Sequence, residues 1–239
     1  MRLATPALAA FLQQLLKATV ALEFTLEPRL RVTEIFYSLQ GESRSVGWPT
    51  VFVRLTGCPL RCVYCDTAYA FSGGRWMSLE AVLVGVAAYA PRYVTVTGGE
   101  PLAQPTCKAL LSRLCDAGYE VSLETSGALD VSKVDQRVVL VMDLKTPGSG
   151  EGHRNCYENL DCLRPQDQVK FVICDRADYE WSKVQLERFD LDRRCEVLYS
   201  ANHGQLDAAL LADWILADRL PVRFQVQLHK YLWGDVQGR

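Results

Sequence analysis

The sequence has little net charge, few histidines and no apolar run long enough to span a membrane. Its 26 Lys and Arg nearly balance its 28 Asp and Glu, which leaves a net charge of −2. Binding to DNA or RNA phosphates needs a basic excess or a clustered basic stripe, so we expect no nucleic-acid partner. The run Ala7 to Leu12 contains six apolar residues, far fewer than a membrane-spanning helix, so we expect no membrane partner.

The cysteines do not form a disulfide framework. There are nine, an odd number, in a chain much longer than a small disulfide-stapled domain. Six of them lie outside the one close group and are predicted to be reduced thiols: Cys107, Cys115, Cys156, Cys162, Cys174 and Cys195. Reduced thiols predict a cytoplasmic protein.

The length predicts one main domain with a small addition. A chain of 239 residues with 49% hydrophobic residues can bury a sizeable core. Residues 30–239 are predicted to form that domain and residues 1–29 an N-terminal extension. Leucine and phenylalanine recur at helical spacing within residues 5–22, which predicts an amphipathic surface helix there.

The rest of the chain alternates between strand and helix patterns, which predicts an α/β fold with parallel strands. Near-continuous apolar runs favour strands buried on both faces. The predicted strands are Arg31–Leu39, Thr50–Leu55, Tyr93–Thr97, Glu120–Glu124, Val138–Asp143, Gln168–Cys174, Glu196–Tyr199 and Arg223–Leu228. The predicted helices are Ser78–Tyr89 with Ser78 as N-cap, Pro105–Ala117, Tyr179–Phe189 and Gln205–Ala217.

Small and polar residues follow the carboxyl ends of these strands. The run Gly98-Gly99-Glu100 follows the third strand, and Asp143 and Lys145 end the fifth. In parallel α/β folds the loops at these ends converge on one face, where ligands bind. Ordinary turn chemistry explains the glycines equally well but explains the charged residues less well, so we predict a site at this face.

Three cysteines within eight residues are the most informative motif. Cys58, Cys62 and Cys65 supply thiolates, the soft ligands that zinc and iron–sulfur clusters prefer. A [4Fe–4S] cluster normally takes four cysteines and a structural zinc site four closed ligands, yet the next candidates are Cys107 and His153. The spacing therefore indicates a cluster with one iron open for chemistry, with a partial zinc site as the alternative.

The motif Cys-x3-Cys-x2-Cys, with Tyr64 before the last cysteine, resembles the signature loop of the radical S-adenosylmethionine (SAM) superfamily. The resemblance implies a modified partial (β/α) barrel with its site at the carboxyl ends of parallel strands. It also implies that SAM binds the open iron and yields a 5′-deoxyadenosyl radical. The SAM contacts it implies are Tyr64, Cys65, Asp66, Gly98, Gly99, Glu100, Ser126, Asp143, Leu144, Lys145, Ser200 and Asn202.

Segments outside the shared superfamily elements resemble the 7-carboxy-7-deazaguanine synthase family. They are residues 34–42 (EIFYSLQGE), 52–58 (FVRLTGC), 65–67 (CDT) and 227–234 (QLHKYLWG). That family converts 6-carboxy-5,6,7,8-tetrahydropterin to 7-carboxy-7-deazaguanine with loss of ammonia, toward deazapurines such as queuosine. The resemblance begins near Arg31, and it implies that residues 30–239 are a radical SAM domain.

The family resemblance also implies site residues and partners. Thr67 would give an oxygen to Mg²⁺, a hard cation, and SAM would be regenerated. The expected partners are the pterin substrate, an electron donor such as flavodoxin or ferredoxin, and a second copy in a homodimer. The substrate contacts it implies are Leu39, Gln40, Gly41, Arg54, Thr97 and His229.

Three alternative functions are open from the sequence. A radical SAM enzyme acting on protein or RNA would need an extended groove or basic face, which the charge does not favour. A glycyl-radical activase shares the cysteine motif but not the Leu39-Gln40-Gly41-Glu42 run. A zinc-binding module without catalytic activity would bind one zinc in place of four iron and four sulfide.

Overall fold

Nine strands form one mixed sheet in the computed structural model, which describes residues 28–239. The strands are β1 (Arg29–Leu39), β2 (Pro49–Leu55), β3 (Arg75–Ser78), β4 (Tyr93–Gly98), β5 (Glu120–Thr125), β6 (Val139–Asp143), β7 (Gln168–Ile173), β8 (Glu196–Ala201) and β9 (Arg223–Gln225). Their order is β3-β1-β2-β4-β5-β6-β7-β8-β9. From β2 onward each neighbouring pair is parallel, whereas β1 is antiparallel to both β2 and β3.

Helices connect most of the parallel strands. They are α1 (Leu79–Ala87), α2 (Cys107–Asp116), α3 (Arg176–Arg188), α4 (Leu191–Arg194), α5 (Ala208–Asp218) and α6 (Leu228–Trp233). Short 3₁₀ turns cover Ala68–Phe71, Pro101–Ala103, Pro147–Ser149, Gly152–Arg154 and Tyr157–Cys162. The predicted N-cap is confirmed, because Ser78 Oγ accepts a bond of 3.2 Å from the Ala81 N–H. No helix within residues 28–239 is long and apolar enough to cross a membrane.

The hydrophobic core lies between the sheet and the helices. Val94 and Val96 of β4 are fully buried, as are Leu110, Leu111 and Leu114 of α2. Cys107 at the start of α2 is also fully buried in this core. Burial of each such side chain contributes about 1.5–3 kcal/mol, so helix and sheet hold each other in register.

The other face of the sheet is polar. Along β5, Val121 and Leu123 are buried in the core, while Ser122 and Glu124 alternate with them and point the opposite way. Ser122 Oγ lies 2.8 Å from Thr95 Oγ1 of β4, so the polar side chains of neighbouring strands bond to each other. Polar residues on this face give the partial barrel an inner surface that can bind charged ligands.

The structure confirms all eight predicted strands and corrects several details. β3 and α4 were missed, and β1 is antiparallel because it forms a hairpin with β2 and pairs with β3. The last predicted strand, Arg223–Leu228, ends at Gln225. The Leu228 N–H donates to the Gly41 carbonyl at 3.0 Å, and α6 begins there. His229 therefore lies on a helix, not at a strand end. The helix predicted over residues 5–22 lies outside the described residues.

Candidate active site

The cysteine loop directly follows β2 and is anchored on three sides. The Gly57 N–H donates to the Ala70 carbonyl (2.8 Å), and the Gly57 carbonyl accepts from the Glu100 N–H (2.8 Å). The Val63 N–H donates to the Ser149 carbonyl (3.0 Å). These bonds come from three different segments, so the fold fixes the path of the loop.

The three cysteines are free thiols that border one cavity. Burial raises the pKa of Cys62 to about 11 and also raises the pKa values of Cys58 and Cys65. Each thiol interacts electrostatically with Lys145, which lowers those pKa values. Among residues 28–239 no group of three or more Cys, His, Asp or Glu side chains, these three cysteines included, is positioned to hold a metal ion. The donor set is three soft ligands, which fits a cluster with an open iron.

Gly99 packs against the cysteine loop. A Cβ atom at this position would lie 2.3 Å from the Gly57 carbonyl oxygen and 2.7 Å from Cys58 Cβ. Gly98 is equally restricted, since a Cβ there would lie 2.3 Å from the Leu55 carbonyl oxygen. The two glycines therefore allow the end of β4 to contact the end of β2, and both also line the cavity.

Glu100 is fully buried and does not line the cavity. Its Oε2 accepts bonds from the Ser126 N–H (2.7 Å) and the Ser126 hydroxyl (2.5 Å). The Thr125 hydroxyl and the Leu102 N–H also donate to the carboxylate. In this structure Glu100 joins the ends of β4 and β5, and its oxygens are occupied by these donors.

The cavity has a volume of about 520 Å³ and lies at the carboxyl ends of the parallel strands. It brings together most of the residues predicted from the sequence to form the site. Those lining it are Leu39, Gln40, Gly41, Arg54, Cys58, Cys62, Tyr64, Cys65, Asp66, Thr67, Thr97, Gly98, Gly99, Ser126, Asp143, Lys145, Asn202 and His229. Three predicted residues are fully buried outside the lining: Glu100, Leu144 and Ser200.

Arg54 projects from β2 and is mostly buried. Its Nε lies 2.7 Å from Glu34 Oε1 of β1, and the Tyr69 hydroxyl donates to the same oxygen at 2.8 Å. Burial raises the pKa of Tyr69 to about 12, so this hydroxyl stays protonated and donates near neutral pH. The ion pair uses Nε, and the Nη groups donate no hydrogen bond to any residue in the range 28–239.

Asp66 and Thr67 lie next to α6. The Thr67 hydroxyl donates to Asp66 Oδ1 at 2.8 Å. His229 Nε2 and Lys230 Nζ lie 3.8 and 3.7 Å from Asp66 Oδ2. Burial would raise the pKa of Asp66, but His229, Thr67 and Lys230 together hold it well below its usual range. This corner therefore offers one carboxylate and one hydroxyl oxygen, the ligands that Mg²⁺ prefers.

Glu124 occupies the centre of the polar face and was not among the predicted site residues. Its Oε1 accepts from the Gln40 amide at 3.2 Å, and its Oε2 accepts from the Thr97 hydroxyl at 2.8 Å. Gln40 also donates to Thr95 Oγ1 at 3.1 Å. A polar residue at every second position of β5 is the sequence feature that could have identified Glu124.

A buried charge network forms the side of the cavity nearest β6 and β7. Lys145 Nζ lies 2.9 Å from Asp143 Oδ2, and Lys170 Nζ lies 3.6 Å from the same oxygen. Lys170 also donates to Glu42, which accepts from the Gln227 amide at 3.0 Å. Burial opposes the charge of Lys170, but Glu42 and Asp143 hold its pKa above the ordinary lysine value. Lys170 and Glu42 were not predicted site residues, although Lys170 interrupts an apolar strand.

Two buried polar atoms beside this network are unpaired. Asp143 Oδ1 and the Tyr64 hydroxyl have no hydrogen-bond partner within residues 28–239. Leaving such atoms unsatisfied costs about 1–3 kcal/mol each, so both favour a polar ligand in the cavity. Tyr64 belongs to the cysteine loop, and Asp143 lines the same cavity, where the family resemblance implies that SAM binds.

Comparison with known proteins agrees with this geometry. The model of the Radical SAM superfamily matches residues 52–141, which include the cysteine loop and Gly98-Gly99. A 7-carboxy-7-deazaguanine synthase from Chlorobaculum tepidum is 44% identical over 89% of this chain and 98% of its own. One from Koribacter versatilis is 43% identical over 85% of this chain and 97% of its own. The chain belongs to the 7-carboxy-7-deazaguanine synthase family.

A solved structure supports the fold. The crystal structure of QueE from Escherichia coli matches with a TM-score of 0.72 and covers 87% of this chain and 98% of its own, at 23% identity. The predicted α/β partial barrel is thereby confirmed. Membership of the 7-carboxy-7-deazaguanine synthase family also confirms that the chain is a radical SAM enzyme, and it decides against the activase and zinc-module alternatives.

Proposed function

We propose that this protein converts 6-carboxy-5,6,7,8-tetrahydropterin to 7-carboxy-7-deazaguanine with release of ammonia, toward 7-deazapurines such as queuosine. The main support is that one cavity is bordered by three free cysteines and by the residues predicted to bind the pterin. The relatives that carry this name match 89% and 85% of this chain. We assign residues 30–239 to the catalytic domain and residues 1–29 to an extension.

Cys58, Cys62 and Cys65 would hold three irons of a [4Fe–4S] cluster and leave the fourth open. When bound, the cluster and SAM supply the electron and the radical that removes hydrogen from substrate C6. Bonds to Ala70, Glu100 and Ser149 fix the cysteine loop, and all three of its thiols border the cavity. Cys107 is buried behind the sheet and cannot act as a fourth ligand.

Residues on both sides of the loop would bind SAM. The unpaired oxygen of Asp143 can accept a charge-assisted bond from an ammonium group, and Lys145 can pair with a carboxylate. The backbones of Gly98 and Gly99, with Tyr64, Ser126 and Asn202, line the same space. Glu100 would act by holding Ser126 in place, because its own oxygens are already engaged.

The substrate would lie between β1, β2 and β5. The planar guanidinium of Arg54 has Nη groups available for the substrate carboxylate, since Glu34 occupies Nε. Gln40, Thr97 and Glu124 form a bonded set of donors and acceptors that fits the edges of a pterin ring. Gly41 packs against His229, since a Cβ atom at Gly41 would lie 2.4 Å from His229 Nδ1. These two residues, both predicted to contact the substrate, therefore form one wall of the cavity.

Mg²⁺ and the protein partners complete the proposal. Thr67, next to the ionised Asp66, would give an oxygen to Mg²⁺ close to the substrate carboxylate. An electron donor such as flavodoxin or ferredoxin would reduce the cluster, and two copies would form a homodimer. Nine free cysteines fit a reducing compartment, the cytoplasm.

Anaerobic turnover tests this function. The chain is reconstituted with iron and sulfide and incubated with SAM, dithionite, Mg²⁺ and 6-carboxy-5,6,7,8-tetrahydropterin. We expect 7-carboxy-7-deazaguanine by mass spectrometry, with SAM not consumed in stoichiometric amounts. A preparation with about four irons per chain that forms no such product would refute the proposal.

A further inference from the structure

The loop between β1 and β2, residues 40–48, reaches across the partial barrel to strands that are distant in the sheet order. The Ser43 N–H donates to Gln225 Oε1 of β9 at 3.0 Å. The Arg44 N–H donates to Gln168 Oε1 of β7 at 2.7 Å. None of these four residues lines the cavity, so these two bonds hold the loop in place from outside the site.

Glu42 and Lys170 extend the contacts of this loop into the cavity. Both residues line the cavity, and both side chains are mostly buried. Lys170 Nζ of β7 donates to Glu42 Oε2, and Glu42 Oε1 accepts from the Gln227 amide at 3.0 Å. Because Gln227 directly precedes α6, Glu42 is tied both to β7 and to the start of that helix.

Glu42 directly follows residues 39–41, which are assigned to the pterin. Its N–H donates to Gln40 Oε1 at 3.1 Å, and the amide nitrogen of Gln40 donates to Glu124 at 3.2 Å. The position of Glu42 therefore sets the orientation of the Gln40 amide. A buried ion pair adds little net stability compared with apolar residues of similar size, so orientation explains a lysine in this apolar strand better than stability does.

The second neighbour of Lys170 is Asp143, and the two distances to its Oδ2 show which side of the cavity depends on Lys170. Lys145 Nζ lies 2.9 Å from Asp143 Oδ2, whereas Lys170 Nζ lies 3.6 Å away. Without Lys170, Asp143 would still have the closer ammonium group. Glu42 would keep the Gln227 amide as its one side-chain donor within residues 28–239. Loss of Lys170 should therefore affect the pterin side more than the SAM side.

We propose that Lys170 is a positioning residue for the pterin: it anchors Glu42 to β7 and so fixes the Gln40 amide that contacts the ligand. The inference rests on the proposed function, because it takes the pterin as the ligand of residues 39–41. Lys170 acts through Glu42, and no bond is made or broken at its ammonium group.

Anaerobic titration calorimetry of the reconstituted full-length chain tests the proposal. It is carried out without reductant, so that no turnover occurs. We expect Lys170→Met and Glu42→Gln each to weaken binding of 6-carboxy-5,6,7,8-tetrahydropterin about tenfold. The double variant should also lose about tenfold rather than about a hundredfold, because two residues that act as one pair are not additive. The affinity for SAM, measured without pterin, should stay at the parent value in Lys170→Met, since Lys145 still holds Asp143.

Lys183→Met is the matched control. It makes the same change in an ion pair outside the cavity, where Lys183 of α3 lies 2.6 Å from Asp218 of α5. Its affinity for the pterin should equal that of the parent. Equal losses of SAM and pterin affinity in Lys170→Met would show a general structural role and overturn the proposal. Parent-like pterin affinity in Lys170→Met, or multiplied losses in the double variant, would overturn it as well.

The experiment separates this role of Lys170 from the reaction on which it rests. If the parent binds the pterin but forms no deazaguanine product once reductant is added, the proposed reaction fails and the positioning role stands. A parent chain that binds no pterin overturns both. Should Lys170→Met fail to take up a full cluster, the double variant decides, because it removes both charges of the pair. Parent-like pterin affinity in the double variant then overturns the proposal.

Discussion

Single side chains in the cavity are oriented by partners from distant parts of the chain. Glu34 holds Arg54, Lys230 lies 3.7 Å from Asp66, and Glu124 accepts from Gln40. These contacts hold the side chains in place before a ligand arrives, so less conformational entropy is lost when the ligand binds. Substitutions at these positions should therefore alter substrate binding or chemistry more than overall stability.

The three cysteines should be equally necessary for the cluster. Changing Cys58, Cys62 or Cys65 to alanine should abolish the iron–sulfur absorbance and SAM cleavage, since no thiol nearby can replace the lost ligand. Cys107→Ala should preserve both, because Cys107 is fully buried in the core under α2. Iron and sulfide analysis after anaerobic reconstitution measures the cluster content of each variant. Loss of the cluster in Cys107→Ala would contradict the assignment of an open iron.

Arg54 should select the substrate carboxylate. Arg54→Ala should lower kcat/KM by about a hundredfold or more, because one partner of a desolvated charge pair is removed, while SAM still binds the cluster. Arg44→Ala is the matched control, since Arg44 pairs with Glu196 at the exposed surface and should change kcat/KM little. Unaltered kinetics in Arg54→Ala would place the carboxylate elsewhere.

Thr67 should bind Mg²⁺ through its hydroxyl. Thr67→Val keeps the branched shape but removes the oxygen, so activity should fall and depend less on added Mg²⁺. Misplacing a reacting atom by about 1 Å can cost roughly a hundredfold in rate. Thr67→Ser restores the hydroxyl and should recover most of the Mg²⁺ response. Identical Mg²⁺ titrations for Thr67→Val and the parent would exclude Thr67 as a ligand.

At the scale of elements, the ends of neighbouring strands pack so closely that only glycine fits between them. β4 ends at Gly98, and Gly98 and Gly99 contact the end of β2 and the first residues of the cysteine loop. Glu100 then joins the end of β4 to Thr125, the last residue of β5, and to Ser126, which follows it. The position of the cluster loop therefore depends on the packing of three strand ends.

Gly99→Ala should displace the cysteine loop. The added methyl group would lie 2.3 Å from the Gly57 carbonyl oxygen, a backbone atom that cannot rotate away. Overpacking of this kind costs about 1–3 kcal/mol, and iron uptake should fall with stability. Denaturant unfolding and iron analysis measure both effects. Gly85→Ala is the control: its methyl meets only the flexible end of Ile35, at 3.0 Å, and it should bind a full cluster. Full iron uptake in Gly99→Ala would show that the loop can shift without loss.

At the scale of the whole molecule, the parallel strands follow their order in the chain, so their carboxyl-end loops meet at one cavity. The cysteine loop is held there by segments as distant as Ala70 and Ser149. A cluster bound by this loop is thus linked to the stability of the whole fold.

Loading the cluster should raise the melting temperature of the full chain. A ligand that binds only the folded state, at a concentration about a hundredfold above its Kd, adds about 2.7 kcal/mol to the free energy of unfolding. For a chain of this size, that gain corresponds to an increase in melting temperature of about 5–10 °C. Anaerobic calorimetry with and without reconstitution measures the gain. The Cys58→Ala, Cys62→Ala, Cys65→Ala triple variant should show none. An equal gain in that variant would mean that iron stabilises the chain from another site.

The sequence by itself determined the cysteine motif, the family and the existence of eight strands. Each depends on local information: ligand spacing within eight residues, runs of apolar residues, and short segments that resemble relatives. Local sequence patterns predicted only some of the polar residues that line the cavity. Gln40, Arg54 and Lys145 were identified because they lie in recognisable motifs at strand ends.

Only the tertiary structure decided the direction of β1, the helix at His229, and the roles of Glu124, Lys170 and Glu42. β1 is antiparallel because it pairs with β2 and β3, and α6 begins where Leu228 bonds to Gly41. Lys170 meets Glu42, 128 residues away in the chain, only when β7 takes its place in the sheet. Such contacts join residues that no local pattern relates, because pairing across a sheet is set by the packing of the whole domain.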